Sequence, residues 1–380
     1  MNDSNLKLRK TLFDNFNSKN FTYLFLLFVL GIVSFYLFQY LVIEMRGWNL
    51  GDWLINYQDG GFKRRGLGGF IFLGLGNLLN VKPNYLVFLF VEIIWIFLLY
   101  QIFLFIKNSK TDVFGFLFLL LLPIGLLFNI VSVGAIGRKE ILLCALFAFY
   151  LWGDSKKIKY LDIVTPILLF IITLFHELTL FYIGYFLLIK YINNNKKYWV
   201  YITYVLSVLI PVLLIYLFGK PINNGLTFYF LKKFEIILTP GILDFNENAD
   251  LMMHYKNHFG VYLEYGFPIF IAVISILWFT KIYGKVYEKL LNYFVLIFFI
   301  SLPLFYLALD WGRWINIHFM MIILVFLYQN LKLNKKINIS FNEKLLMILF
   351  IFINSFWQME VDNNGFRLNY FLEILLSKIS

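Results

Sequence analysis

Long apolar runs separated by lysine-bearing breaks limit this chain's possible folds more than any other feature. Residues 21–43, 199–219 and 291–309 carry no charge, and residues 160–192 are interrupted only by Asp162, His176, Glu177 and Lys190. A helix needs about 20 such residues to cross about 30 Å of hydrocarbon. With 61% hydrophobic residues, 14% charged residues and a mean hydropathy of +0.76, the chain reads as an all-α polytopic membrane protein, not a soluble domain.

Lysine placement orients the runs. Lys7, Arg9, Lys10 and Lys19 put the N-terminus inside, and later lysine groups mark each return to that face. The expected spans are residues 21–43, 85–106, 113–132, 140–153, 161–175, 178–192, 199–219, 261–280, 291–309, 314–331 and 345–358. That makes about eleven transmembrane helices, N-terminus in and C-terminus out. Residues 67–80 are too short to span and read as an interfacial or re-entrant helix on the outer side. The run 160–192 has lysine-rich ends, so it reads as a short hairpin with its apex at His176-Glu177. Residues 1–380 form one integral membrane domain, with an extracytoplasmic first loop at 44–84 and a long one at 220–260. The net charge of +11 follows from cytoplasmic lysines and implies no nucleic-acid partner. Cys144 stands alone, so no internal disulfide forms. The first run is longer than a signal-peptide core and stays as a span.

Residues 57–69, YQDGGFKRRGLGG, pack Asp59, Lys63, Arg64 and Arg65 among five glycines. Glycine allows close backbone approach to a ligand, so the stretch reads as an anion site at a membrane surface. The plainer reading is a juxtamembrane anchor whose cations snorkel to headgroups. The other mixed acid–base clusters fall on the same face. They are Arg138, Lys139 and Glu140; His176 and Glu177; and Asp310 with Arg313. Arginine suits bidentate capture of phosphate, and ionisable groups at membrane depth are functional candidates. Each cluster also has a structural reading: helix termination for Arg138-Lys139-Glu140, a polar hairpin tip for His176-Glu177, and a local ion pair for Asp310 and Arg313. Glu92 lies inside residues 85–106 as a structural group or a partner of an outer cation, and His318 reads as a hydrogen-bonded bundle residue. His254 and His258, spaced i,i+4, lack an obvious third ligand, so neither a metal nor another cofactor is expected. Gly66–Gly69 would offer helix N-terminal amides to the same anion. Arginines converging with a few carboxylates are what glycosyl transfer from a lipid-linked diphosphate donor needs.

In its length, its Phe/Ile/Tyr-rich spans, its single long outer loop and its arginine-bearing outer clusters, the chain resembles the Wzy-type O-antigen (surface polysaccharide) polymerases. These belong with the GT-C-like membrane glycosyltransferases. The resemblance implies a metal-independent glycosyltransferase of lipopolysaccharide or other polysaccharide biosynthesis. It would sit in the bacterial inner membrane and join undecaprenyl-diphosphate-linked oligosaccharide repeats on the periplasmic face. A chain-length regulator protein is an implied partner. Arg64, Arg65, Arg138 and Arg313, with Lys63 and Lys139, would hold the diphosphate. Asp59, His176, Glu177, Glu140 and Asp310 would be the acid–base candidates. The alternatives are a GT-C transferase decorating a glycan or lipid from a polyprenyl-phosphate sugar, a lipid-linked oligosaccharide flippase or transporter, and a structural subunit.

Overall fold

The computed structural model describes residues 18–59, 61–195, 197–219, 225–243, 260, 263–307, 310–333, 337–355, 357–359 and 366–368. His254, His258 and much of the 220–260 loop lie outside the described residues. The described chain is helical apart from one antiparallel pair near the C-terminus, Trp357–Met359 with Phe366–Leu368. Six helices are long and apolar enough to cross a membrane, which makes this a polytopic membrane protein.

The elements follow the apolar runs closely. Helix α1 (Ser18–Phe38) continues through a π-helical turn at Gln39–Ile43 into the short α2 (Leu50–Leu54). Next come α3 (Leu67–Leu79), α4 (Pro83–Asn108), α5 (Phe114–Leu120) and α6 (Phe128–Val131). The core is built from α7 (Glu140–Ser155), α8 (Leu161–Phe175), α9 (Thr179–Ile192) and α14 (Trp311–Lys332). Between α9 and α14 lie α10 (Tyr198–Phe218), α11 (Gly225–Lys233), α12 (Gly266–Tyr283) and α13 (Lys285–Leu307), and α15 (Phe341–Ser355) follows α14. The short α3 and the hairpin of α8 and α9 fall where the residue pattern placed them.

Helix α14 is the axis of the bundle. Its apolar window is 94% buried, against 28% for α10, and it packs on α4, α7, α9 and α13. Leu, Phe and Ile on the outer helices stay exposed, as expected where lipid, not water, is the solvent. Helix association there rests on close packing and interhelical hydrogen bonds.

The span expected over residues 113–132 is not one helix. It breaks after Leu120, runs irregularly through Pro123 and Gly125, and resumes for one turn at Phe128–Val131. Proline removes a donor and clashes with the preceding turn. Irregular backbone at membrane depth is tolerated only when covered by protein. Leu122, Ile124 and Leu126 are indeed buried. Asn316 of α14 donates to the carbonyls of Ile124 and Gly125, both at 2.8 Å. One side chain thus supplies the donors that the broken helix lacks.

Gly66, Gly68 and Gly69 serve packing. A Cβ on Gly68 would lie 2.6 Å from the Trp53 carbonyl oxygen, and one on Gly69 would collide with the carbonyls of Leu54 and Ile55. Their absence of side chains lets the start of α3 lie directly on the backbone of α2. The Gly69 amide donates to Ile55 O at 2.9 Å, and that of Gly66 to Lys63 O at 3.4 Å. The expectation that Gly66–Gly69 present free amides to an anion is therefore corrected at these two positions, because the chain's own carbonyls take those amides. The consequence is positional: α2 and the Arg64-Arg65 turn are locked together.

A charged layer at one end of the bundle

Two latches bring α2 against the segment that precedes α7. Asn49 donates to the carbonyls of Gly134 (3.3 Å) and Ile136 (2.5 Å), and the Trp53 indole donates to Gly137 O at 2.7 Å. Gly137 then turns the chain with φ +79°, a conformation suited to glycine, and delivers Arg138, Lys139 and Glu140 beside α2. The acid they meet is Asp52, which the sequence pattern did not single out.

Asp52 is 2% exposed. Its carboxylate lies 3.3 Å from Arg65 Nη1 and 3.6 Å from Lys139 Nζ. The Lys139 ammonium also donates to the backbone carbonyl of Asp52 at 2.7 Å and to that of Arg65 at 3.4 Å. Arg65 adopts φ 61°, a left-handed backbone costing roughly 1–2 kcal/mol for a non-glycine residue. The turn aims its guanidinium at both Asp52 and Glu177, the latter at 3.3 Å. Arg64 reaches the same Glu177 oxygen at 2.5 Å.

The α8–α9 apex closes the layer. His176 breaks the helix with an extended backbone. Its imidazole lies 3.6 Å from Glu140 through Nε2 and 3.7 Å from Glu177 through Nδ1. The Leu178 amide donates to Nδ1 at 3.4 Å, so the ring's own proton sits on Nε2 and points toward Glu140. From the base of α14, Arg313 donates to Glu140 Oε1 at 2.5 Å and pairs with Asp310. The expected residues Arg64, Arg65, Arg138, Lys139, Glu140, His176, Glu177, Asp310 and Arg313 thus fall in one layer, and Asp52 joins them.

Asp59 and Lys63 lie apart from it. Both Asp59 carboxylate oxygens accept backbone amides at the start of α11, from Leu226 at 2.5 Å and Thr227 at 2.6 Å. An acidic acceptor is favoured there because the first amides of a helix have no internal partner. The Lys63 ammonium donates to the Asp59 backbone carbonyl. Asp59, expected as an acid–base candidate, is engaged as a helix cap joining the first loop to α11. Glu92 accepts a hydrogen bond from Ser34 of α1 at 2.5 Å and forms no ion pair among the described residues. His318 is held between Tyr185 (2.9 Å) and Ser301 (2.7 Å), as a hydrogen-bonded bundle residue. Among the described residues no group of three or more His, Cys, Asp or Glu side chains is placed to hold a metal ion.

The electrostatics follow from burial opposed by partners. Burial alone would raise the Asp52 carboxyl, but Lys139 and Arg65 outweigh it and hold it at about 2. Burial likewise opposes the Glu177 charge, yet Arg64 and Arg65 keep it well below the usual carboxylate range. His176 is pushed down by burial and then by Arg65, so it is a neutral imidazole near neutral pH. Arg138 is lowered by burial and by Arg313. Lys139 is lowered from 10.5 to about 8, chiefly by burial, with Asp52 opposing.

That last shift gives a signed expectation. Between about pH 8 and 10.5 the folded chain has released the Lys139 proton while the unfolded chain still holds it, so this group's contribution to stability grows with pH. The difference in unfolding midpoint between wild type and Lys139→Met should rise across that window. A flat difference would contradict the assignment.

Beside the layer is a cavity of about 30 Å³, lined by Arg138, Glu140, Arg313, Asn316, Trp95 and Cys144 among others. It is large enough for one water-sized group. Glu140 Oε2, Arg313 Nε and His176 Nε2 are buried without a protein hydrogen-bond partner. Arg138 donates to Gly134 O at 3.2 Å and lies over the Trp48 ring at 6.0 Å, with no carboxylate partner among the described residues. The site therefore combines an uncompensated cation with a carboxylate oxygen open to a proton. No protein-family model, curated protein or solved structure matches the chain.

Proposed function

We propose that this chain is a membrane glycosyltransferase that joins lipid-diphosphate-linked oligosaccharide repeats, the reaction of the surface-polysaccharide polymerases it resembles. The observation that carries the reading is the charge balance of the layer. Among the described residues Arg64, Arg65, Arg138, Lys139 and Arg313 meet Asp52, Glu140, Glu177 and Asp310, and the cation left over is Arg138. A layer with one excess positive charge suits an anionic donor.

In this reading the acceptor sugar hydroxyl attacks the anomeric carbon of the donor, and its proton passes to Glu140 Oε2. The bond from that carbon to the diphosphate oxygen breaks, and the diphosphate leaves with the electron pair, its charge met by Arg138 and Arg313. His176 faces Glu140 across 3.6 Å through Nε2. Both Glu177 oxygens accept from Arg64 or Arg65, so Glu140 Oε2 is the carboxylate oxygen left to take the proton. The proposed topology has about eleven spans in a GT-C-like bundle, N-terminus in and C-terminus out, in the bacterial inner membrane. It puts the layer on the periplasmic side, where undecaprenyl-diphosphate-linked repeats and a chain-length regulator would meet it.

The test is Arg138→Ala in a host whose surface polysaccharide depends on this chain. Loss of one transition-state cation should cut polymerisation about 10²–10³-fold, collapsing the polysaccharide ladder to single repeats. An unchanged ladder with normally folded protein would sink the proposal. A lost side-branch sugar with normal chain length would favour the decorating transferase. Lipid-linked repeats retained on the cytoplasmic leaflet would favour a flippase.

A further inference from the structure

The four core helices α7, α8, α9 and α14 carry charge at both ends. Opposite the layer, the turn joining α7 to α8 and the last turns of α9 and α14 border a second cavity of about 790 Å³, open to the surface. Along α14 the separation of Arg313 and Lys332 is about 28 Å at 1.5 Å per residue, close to the thickness of a hydrocarbon core. The two charged regions therefore lie at opposite faces of one bundle.

This second cavity is lined by Lys156, Lys157, Lys159, Lys190, Lys332 and Trp152, among others. Lys190 is 4% exposed; it pairs with Asp162 and lies 3.8 Å from Asp154. Those two are the acids of the lining, against five lysines, so the lining carries a net charge of +3. Asn193 donates to Asp154 at 2.8 Å and accepts from Lys332 at 2.5 Å, which fixes the wall from α9 to α14. Lys156, Lys157, Lys159 and Lys332 have no carboxylate partner among the described residues. Lys157 and Asn194, on the two turns at the rim, both adopt left-handed backbone, with φ 55° and 52°.

Orientation lysines explain exposed cations on loops. They do not account for an open cavity that sets a buried lysine, paired with both acids, behind exposed Lys156, Lys157 and Lys159 and leaves the lining with a net charge of +3. Ammonium groups bind phosphate as point charges. The volume far exceeds a bare phosphate and falls in the range of small-molecule sites, roughly 300–1,000 Å³. The Trp152 and Ile158 side chains and the Asn108 and Asn193 amides complete the lining, offering apolar contact and hydrogen bonds to hydroxyls.

The geometry points to a second binding site at this face, one that takes a phosphate ester with a hydroxyl-bearing body. A phosphoglycerol lipid headgroup and a soluble sugar or glycerol phosphate share that chemistry. The site is independent of the reaction proposed for the opposite layer.

The full chain, reconstituted in nanodiscs of phosphatidylcholine alone, is to be compared with nanodiscs containing phosphatidylglycerol, and separately with added glycerol phosphate. Saturating ligand should raise the unfolding temperature by about 5 °C. A rise with the lipid alone identifies a headgroup site, and a rise with glycerol phosphate in neutral lipid identifies a soluble ligand. The triple variant Lys156→Glu, Lys157→Glu, Lys159→Glu should abolish the rise. A control, Lys281→Glu with Lys285→Glu, removes exposed lysines at the α12–α13 turn outside the cavity and should retain it. If the triple variant does not fold, Lys157→Gln with Lys159→Gln should at least halve the rise. No rise with either probe in wild type, or equal loss in the cavity and control variants, overturns the site.

Discussion

Asp52→Ala lowers the stability of the folded protein by about 3–5 kcal/mol, the cost of removing one partner from a buried charge network. The large figure rests on what remains. Lys139 is 1% exposed and would lose the carboxylate it pairs with, while Arg65 would keep Glu177 but lose Asp52. Deleting a fully exposed ion pair would cost under about 1 kcal/mol. Unfolding in a graded detergent titration should show the loss. Adding Lys139→Met to Asp52→Ala should recover part of it, since the stranded cation is then gone. An Asp52→Ala protein within about 1 kcal/mol of wild type would mean that Lys139 finds another anion.

Asn316→Leu removes about 1–3 kcal/mol, the cost of one unsatisfied buried carbonyl, because Ile124 O loses its donor whereas Gly125 O keeps the Phe128 amide at 3.1 Å. Leucine approximates the asparagine volume without its donors, so the effect isolates the hydrogen bonds. The damage should be local as well as global: hydrogen exchange should accelerate in residues 121–132 before the rest of α14 opens. Asn316→Asp would be at least as harmful, since a carboxylate brings further acceptors to carbonyls that need donors. Unaltered exchange in that segment would show that the carbonyls find other donors.

The arrangement of the elements was largely legible because apolar runs, lysine groups and short glycine-bearing segments speak through local pattern. The hairpin apex at His176-Glu177 is an example: two polar residues in the middle of a long apolar run admit few placements. The break at residues 121–127 was signalled by Pro123 and Gly125, but the surrounding leucines and phenylalanines match a continuous span equally well. Asn316, 192 residues from Ile124, supplies the donor that the Ile124 carbonyl takes. The candidate layer was visible as clustered charge and invisible as pairing. Asp52 sits alone in the apolar turn LGDWL, and its partner Lys139 is 87 residues away. Asp59 carries the same local signature as a base, and its role depends on amides 167 and 168 residues downstream. Sequence neighbours show which residues are costly to bury, whereas distant neighbours decide why the cost is borne.

The double-ended pairing of the core has a mechanical meaning. Glu140 and Asp154 fasten α7 at its two ends, Arg313 and Tyr328 fasten α14, and the α8–α9 hairpin is held by His176 and Glu177 at its tip and by Asp162 and Lys190 at its base. Sliding one of these rods by a helical turn, about 5.4 Å, would tear polar contacts at both faces in a single stroke. Shear is thereby excluded as an easy motion, and the four rods travel together or not at all. Any opening of the bundle must come from elements clamped at one end or neither, with the core serving as a fixed post against which they swing.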